Sequence, residues 1–476
     1  MGGTLPTPSG QQREVVYLRE RGHCIVLGTA GSGKTVMAVN RAAYLAEAPQ
    51  FGGPTLLVTF NGALVTYLRS LVGDKKDVTV EQYHLFAKNH VETLTGDALR
   101  ICEHEMRRHM VSTALRQVRG GSNRRRSVLD RPVDFFLDEF YWLAGQGIVD
   151  FSAYLSGAVK RVGRGTPLAP EDRAVVHDVY QAYLVLRAKR GYNQDWGDLA
   201  GALLRALENG TGSLPFRHVV IDEGQDFSPE MIRSLVAAVP SDGSVTFFGD
   251  YAQQIYGSRI SWRSLGLQVA RGRLVRFEQN YRNTRQIAGL AKAIANTLLQ
   301  DGVDLVDSKE PVADGMRPMI LRVESKEAQI EQAAKFANNL VFNRKTRDVM
   351  RRVAVLTRTA AFRDQLEQRL EKRRTRIHLH KGMKNWVSGP GIFYGSYEDA
   401  RGLEFDSVIL PLCDDDELPS PRNVEAFGVQ EAEARQAREL YIAVTRARTE
   451  LVLLHGERMT RLLPDEESGL YERLDP

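Results

Sequence analysis

The sequence predicts an α/β protein of two parallel-sheet domains, the first interrupted by a helical insertion. Three observations carry this prediction. Short apolar, β-branched runs end at glycine or at an acidic residue, with helix-like segments between many of them, the pattern of buried parallel strands and crossover helices. These runs fall into two groups, one before about residue 265 and one after about residue 275. Between about Val91 and Arg205 such runs are scarce and helical periodicity takes over.

The first group comprises Cys24–Leu27, Thr55–Phe60, His218–Asp222 and Val245–Phe248. The second comprises Met319–Val323, Val353–Thr357, Ser407–Leu412 and Leu451–Leu454. In the insertion, Val133, Phe136, Leu137, Phe140 and Tyr141 mark one face of a helix, with Pro132 suited to its first turn. That stripe reads as core. The expected division is 1–90 and 206–272 for the first domain, 91–205 for the insertion and 273–476 for the second domain. A basic run, Arg119 to Arg126, is expected in a loop, either as solvated surface or as a phosphate contact.

Composition bounds the class without naming a partner. A chain of 476 residues is too long for one ordinary core. No stretch approaches the roughly 20 uninterrupted apolar residues of a membrane span, and Met1 to Gln12 carries no signal-peptide pattern. The charge of +5 is compatible with a phosphate backbone but does not require one. Cys24, Cys102 and Cys413 are far apart and outside any Cys/His cluster, so they suggest neither a disulfide framework nor a zinc site and fit a reducing cytoplasm.

The chemistry begins at Gly28, Thr29, Ala30, Gly31, Ser32, Gly33, Lys34 and Thr35, which follow a strand and open a helix expected over Val36–Ala46. This is the G-x-x-x-x-G-K-[ST] loop in its required setting. Its backbone N–H groups and the helix N-terminus cradle phosphate oxygens, Lys34 reaches the β and γ phosphates, and Thr35 holds Mg²⁺. Farther on, the run His218–Ile221 ends in Asp222 and Glu223. Asp222 suits a Mg²⁺ ligand held through water, and Glu223 suits the group that orients or deprotonates an attacking water. Together these elements specify a P-loop nucleotidase and leave its class open.

Further segments narrow the class. Asp222-Glu-Gly-Gln225-Asp226 is followed by Gly249-Asp250-Tyr-Ala-Gln253-Gln-Ile-Tyr256-Gly257 and Gln279-Asn280-Tyr281-Arg282-Asn-Thr284. Then come Arg401-Gly402-Leu403-Glu404-Phe405-Asp406 and Tyr441-Ile-Ala-Val-Thr445-Arg446-Ala447. In this order they resemble the UvrD/Rep-like superfamily 1 helicases, from Gln12 to about Gly456. The resemblance implies two RecA-like P-loop domains with ATP and Mg²⁺ in the cleft between them. It implies that Gln12 reads the adenine, that Tyr281 stacks on it and that Gln253 senses the γ-phosphate. It further implies that Arg282 and Arg446 contact the γ-phosphate from the second domain and that Glu404 contacts the nucleotide's sugar. Arginines so placed neutralise charge on the transferring phosphoryl group.

The resemblance also suggests a strand path. Thr59, Phe60 and Asn61 match one strand-contacting motif, His84 matches another, and Arg358 matches a backbone contact of the second domain. Tyr256, Arg259 and Trp262 follow the sensor segment, where aromatics stack on bases and arginine holds phosphate. Phe60 and Tyr256 can also be read as core packing.

Three departures stand out. Ser258 occupies the position where the family has a tryptophan, and Trp262 comes later. Glu398, in Ser396-Tyr-Glu398-Asp-Ala-Arg401, stands where the family has a histidine. About 120 positions separate Asn280 from Gly402, enough to finish one α/β domain, so the family's large accessory insertion is expected to be absent. Nothing after Gly456 is long enough for a nuclease domain. The leading expectation is therefore an ATP-driven helicase or translocase acting, by family implication, 3′ to 5′ on single-stranded or 3′-tailed DNA. The alternative is a nucleic-acid-stimulated regulatory ATPase that acts with a protein partner, such as a nuclease in repair or anti-phage defence. RNA-directed activity is a third reading, since no residue can be assigned to the 2′-hydroxyl.

Overall fold

The computed structural model describes residues 7–8, 10–29, 31–121, 127–161, 164–210, 214–250, 261–270, 272–277, 279–280, 282–296, 311, 313–341, 351–372 and 375–474, with the side chain of Ala360 excepted. Ala30, Gln253, Tyr256, Arg259 and Tyr281, and with them Ser258, lie outside the described residues.

The first sheet uses β1 (Cys24–Gly28), β2 (Thr55–Thr59) and β3 (Val78–Gln82). A helical segment follows, pinned by the short pair β4 (Ile101–Cys102) and β5 (Gln194–Asp195). The sheet then completes with β6 (His218–Ile221), β7 (Ser244–Asp250) and β8 (Leu274–Phe277). Its order is β3-β2-β6-β7-β1-β8, and every pairing is parallel. The runs legible in the sequence are those in β1, β2, β6 and β7, which are buried on both faces.

The second sheet is also wholly parallel. It contains β9 (Met319–Arg322), β10 (Arg352–Thr357), β11 (Arg376–His378), β12 (Gly391–Ser396), β13 (Phe405–Leu410), β14 (Ala447–His455) and β15 (Glu472–Leu474). Their order is β11-β12-β10-β13-β14-β9-β15. Between Asn280 and Gly402 the described residues form the helices and strands of this one sheet domain and no further domain.

Two boundaries differ from the sequence reading. The expected break at 272/273 falls too early, because Leu274–Phe277 pairs with Ile25–Gly28 and is the edge strand of the first sheet. The insertion has its own core, built mainly from the helices His104–Gly121, Val133–Gln146 and Pro170–Lys189 around Phe136, Phe140, Val176 and Tyr183, with Leu129 and Tyr154 from the segments between them. The flanking helices Tyr83–Thr95 and Leu199–Asn209 instead bury Phe86, Val91, Leu199 and Leu203 against the first sheet. Arg119, from the basic run, lies in the helix His104–Gly121 and donates to the Leu129 carbonyl.

The insertion also touches the second domain. Ala426 and Phe427, from the helix Pro421–Phe427, enter its core. At the rim Arg422 pairs with Asp134 at 2.7 Å, Arg435 pairs with Asp138 at 2.7 Å, and Thr166 donates to the Phe427 carbonyl at 2.7 Å.

Candidate active site

In the first sheet β6, β7 and β1 lie side by side, so their C-terminal ends deliver three motifs to one place. Gly28 at the end of β1 is in register with Asp250 at the end of β7. The helix Lys34–Glu47 starts from the intervening loop, which turns through Gly31 and Gly33 at φ +80° and +83°. A Cβ on Gly31 would fall 2.1 Å from Asn280 Oδ1, so the second domain's chain packs directly on this loop.

Gly31, Gly33, Lys34, Thr35, Glu223, Asp250, Arg282 and Arg446 line one cavity. The phosphate loop, the acidic strand end and both second-domain arginines are thus brought together. The cavity holds about 10 Å³, room for roughly one water, so a triphosphate enters only if the domains part.

Lys34 is folded back on its own loop. Its ammonium donates to the carbonyls of Gly28 at 2.9 Å and Thr29 at 2.8 Å and lies 3.6 Å from Asp250. Asp222 is fully buried, and neither carboxylate oxygen has a well-formed hydrogen bond, although the Thr35 hydroxyl is near enough to favour its ionised form. Burial and then the adjacent Glu223 push its carboxyl up to about 7, against the pull of Thr35 and Lys34. Two orphaned oxygens beside Thr35 are what a hard divalent cation would satisfy, so the residues fit Mg²⁺. Glu223 behaves oppositely. Burial raises its carboxyl, but Lys34, Arg446, Gln225 and Arg282 outweigh that and hold it below the usual carboxylate range. Its backbone sits at φ 53°, ψ 43°, a left-handed conformation rare outside glycine.

Gln225 ties the acidic motif to the sensor strand. Its amide donates to Glu223 and its carbonyl oxygen accepts from the Asp250 N–H at 2.8 Å. Gln12, on the helix Gln11–Val16, donates to the Ser32 carbonyl at 3.3 Å and so touches the phosphate loop. Arg41, fully buried, holds the carbonyls of Val16 at 3.0 Å and Arg19 at 2.9 Å, which anchors the chain that follows that helix.

The arginines are fixed from behind. Arg446 donates to the Ile442 carbonyl at 2.9 Å and to Thr445 Oγ1 at 3.2 Å. Arg282 pairs with Glu404. Asn283, only 1% exposed, connects the two loops by donating to the carbonyls of Thr445 at 3.2 Å and Ala447 at 2.5 Å. Asn280 holds Asn283 in turn and accepts from the Arg282 N–H at 2.9 Å. The reading of single residues assigned no role to Gln225, Asp250, Asn280 or Asn283, although each lies inside a quoted motif.

The expected strand contacts divide. Phe60 and His84 are half-buried, and their rings meet edge-on at 5.1 Å. Trp196, which the sequence reading did not pick out, approaches His84 at 6.0 Å. Trp262 packs against Phe247 at 5.0 Å, and Arg358 lies 4.0 Å from Glu417. Thr59 and Asn61 require correction. Thr59 is fully buried inside β2. Asn61 caps the helix Gly62–Val72 through its side-chain oxygen, and its amide donates to the carbonyls of Glu398, Asp399 and Arg401 at 3.0, 3.1 and 3.1 Å. With its side-chain amide and oxygen both engaged, Asn61 braces the two domains in this structure.

A family model described as an AAA domain matches residues 11–259, and one described as a UvrD-like helicase C-terminal domain matches residues 275–386 and 398–457. The ATP-dependent DNA helicase UvrD2 of Mycobacterium tuberculosis is 29% identical over 309 residues, which span 60% of this chain and 42% of that protein. UvrD1 of the same organism is 26% identical over 321 residues, 60% of this chain and 38% of that protein. DNA helicase II of Salmonella typhimurium is 25% identical over 340 residues, 63% of this chain and 43% of that protein. The chain thus spans about two fifths of the length of the curated relatives it matches. With both motor-domain models matched in order, this chain belongs to the UvrD-like superfamily 1 helicases.

Proposed function

We propose that this chain is an ATP-dependent motor that moves along single-stranded DNA, 3′ to 5′, and opens duplexes with a 3′ tail. The observation that supports it best is the cleft in which Lys34, Thr35 and Glu223 of one domain meet Arg282 and Arg446 of the other. In this reading Lys34 leaves the Gly28 and Thr29 carbonyls to grip the β and γ phosphates. Thr35 and Asp222 would hold Mg²⁺, which would supply positive charge to the phosphates. Glu223, kept ionised by its cationic neighbours, orients or accepts a proton from the attacking water. Arg282 and Arg446 meet charge at the γ-phosphate, and Gln12 contacts the base. Tyr281 and Gln253 retain their family-implied roles, base stacking and γ-phosphate sensing.

Triphosphate entry needs an open cleft, and hydrolysis needs both arginines, so each turnover opens and closes the domains. Asn61 joins the first domain to the Glu398–Arg401 turn, next to Phe60, so cleft motion is transmitted to the half-buried pair Phe60 and His84. The test is steady-state ATP hydrolysis with and without single-stranded DNA, with single-stranded RNA in parallel. Stimulation by DNA, followed by opening of a 3′-tailed but not a 5′-tailed duplex, is expected. Hydrolysis indifferent to both polymers would refute the motor reading and favour an ATPase that works through a protein partner.

A further inference from the structure

Glu398 is the departure that the motor reading leaves without a role. Asn61 clamps its backbone beside the first domain, one residue along the chain from Phe60. Its carboxylate Oε1 lies 3.3 Å from the ammonium of Lys381, and both side chains are open to solvent, 55% and 66% exposed. Lys381 comes from the segment after β11, which crosses onto the first domain. A Cβ on Gly62 would lie 2.3 Å from the Lys381 carbonyl, Thr66 donates to the Met383 carbonyl at 2.8 Å, and Trp386 meets Tyr67 at 5.0 Å. Lys381 is also close enough to His84 that its charge, after burial, lowers the imidazole's pKa. Phe60, His84, Glu398 and Lys381 therefore converge from both domains at one edge of the cleft.

The charges behind this edge are accounted for. Arg401 pairs with Asp226 at 2.8 Å, and the half-buried Glu439 feels the charges of Arg358 and Arg401. Lys381 and Glu398 are solvent-exposed charges beside the aromatic pair.

We propose that Lys381 is a phosphodiester-binding residue for single-stranded DNA and that Glu398 is its competing counter-ion. The inference rests on the motor reading. An exposed ion pair is weak, so a backbone phosphate displaces Glu398 from Lys381 at little cost. The released carboxylate then stands next to the strand and repels it. The pair thus weakens the grip at this edge while keeping the lysine aimed at the path. Aromatic faces beside a displaceable cation suit a strand that must be held and released each cycle.

The experiment uses the full chain and a fluorescein-labelled oligodeoxythymidylate, with anisotropy followed over a salt series. Lys381→Gln should weaken binding about three- to tenfold at low salt and reduce the slope of log affinity against log salt by about 0.7, the share of one phosphate on a single strand. Glu398→Gln should tighten binding about two- to fivefold, and the double variant should lose that gain. Lys384→Gln, exposed on the same segment, controls for unspecific loss of charge. Wild-type binding with Lys381→Gln unchanged in affinity and slope, or equal losses in both lysine variants, overturns the assignment alone. Failure of the wild-type chain to bind the oligonucleotide at any salt overturns the motor reading together with it.

Discussion

Asn283→Ala tests whether hydrolysis depends on how the two arginine loops are joined. The substitution removes the amide that donates to the Thr445 and Ala447 carbonyls, on either side of Arg446. Each buried carbonyl left without a donor costs about 1–3 kcal/mol, so about 2–6 kcal/mol of folding stability is at stake before relaxation. The kinetic effect has a ceiling. An arginine aimed at the γ-phosphate contributes about 10³–10⁵ in rate, and Asn283→Ala keeps the charge while loosening its aim. Arg446 retains its bonds to Ile442 and Thr445 Oγ1, so only part of that factor is forfeited. A fall of about ten- to hundredfold in kcat is expected, with KM for ATP changed less than about threefold. DNA-stimulated hydrolysis should be measured for Asn283→Ala, Arg446→Ala and the double variant, alongside thermal melting. The double variant should be no slower than Arg446→Ala, because the bond acts only through that arginine. A lowered melting temperature with unchanged kcat, or losses that multiply in the double variant, would refute the positioning role.

Three further outcomes are expected. Lys34→Ala removes the cation of the phosphate loop and should reduce hydrolysis at least about 100-fold; near-normal turnover would remove Lys34 from the site. Glu223→Gln should still bind ATP but slow hydrolysis by about 10²–10⁴, and its affinity for single-stranded DNA should respond to ATP; affinity indifferent to ATP would break the proposed coupling. Burial holds the imidazole of His84 at about 4, below its ordinary value of 6.5. Between these values the unfolded chain binds a proton that the native chain does not, so this contribution is complete above about pH 6.5 and is lost as pH falls toward about 4. Because the ring is half-buried, a loss of about 1–2 kcal/mol across that window is expected in wild type relative to His84→Gln. Parallel stability curves for the two proteins would count against it.

The sequence by itself determined the phosphate-loop pattern and the class of fold. Gly28–Thr35 and Asp222–Glu223 are local patterns, each fixed by a strand end and a turn, and buried parallel strands such as Cys24–Gly28 and Arg352–Thr357 announce themselves as apolar runs. Edge strands do not. Leu274–Phe277 carries Arg276 in its middle and exposes Leu274 and Arg276, so it lacks the apolar run of a buried strand, and the domain boundary moves with it. The order of the strands, which puts β6, β7 and β1 side by side, depends on long-range pairing that no local pattern encodes. Tertiary structure likewise decided which motif residues face a ligand. Thr59 and Asn61 lie in a strand-contact motif by resemblance, but packing buries the first, and the second domain's carbonyls occupy the second. Asn283 and Lys381 gain their roles from atoms about 160 and 17 positions away along the chain, brought close only when the second domain folds.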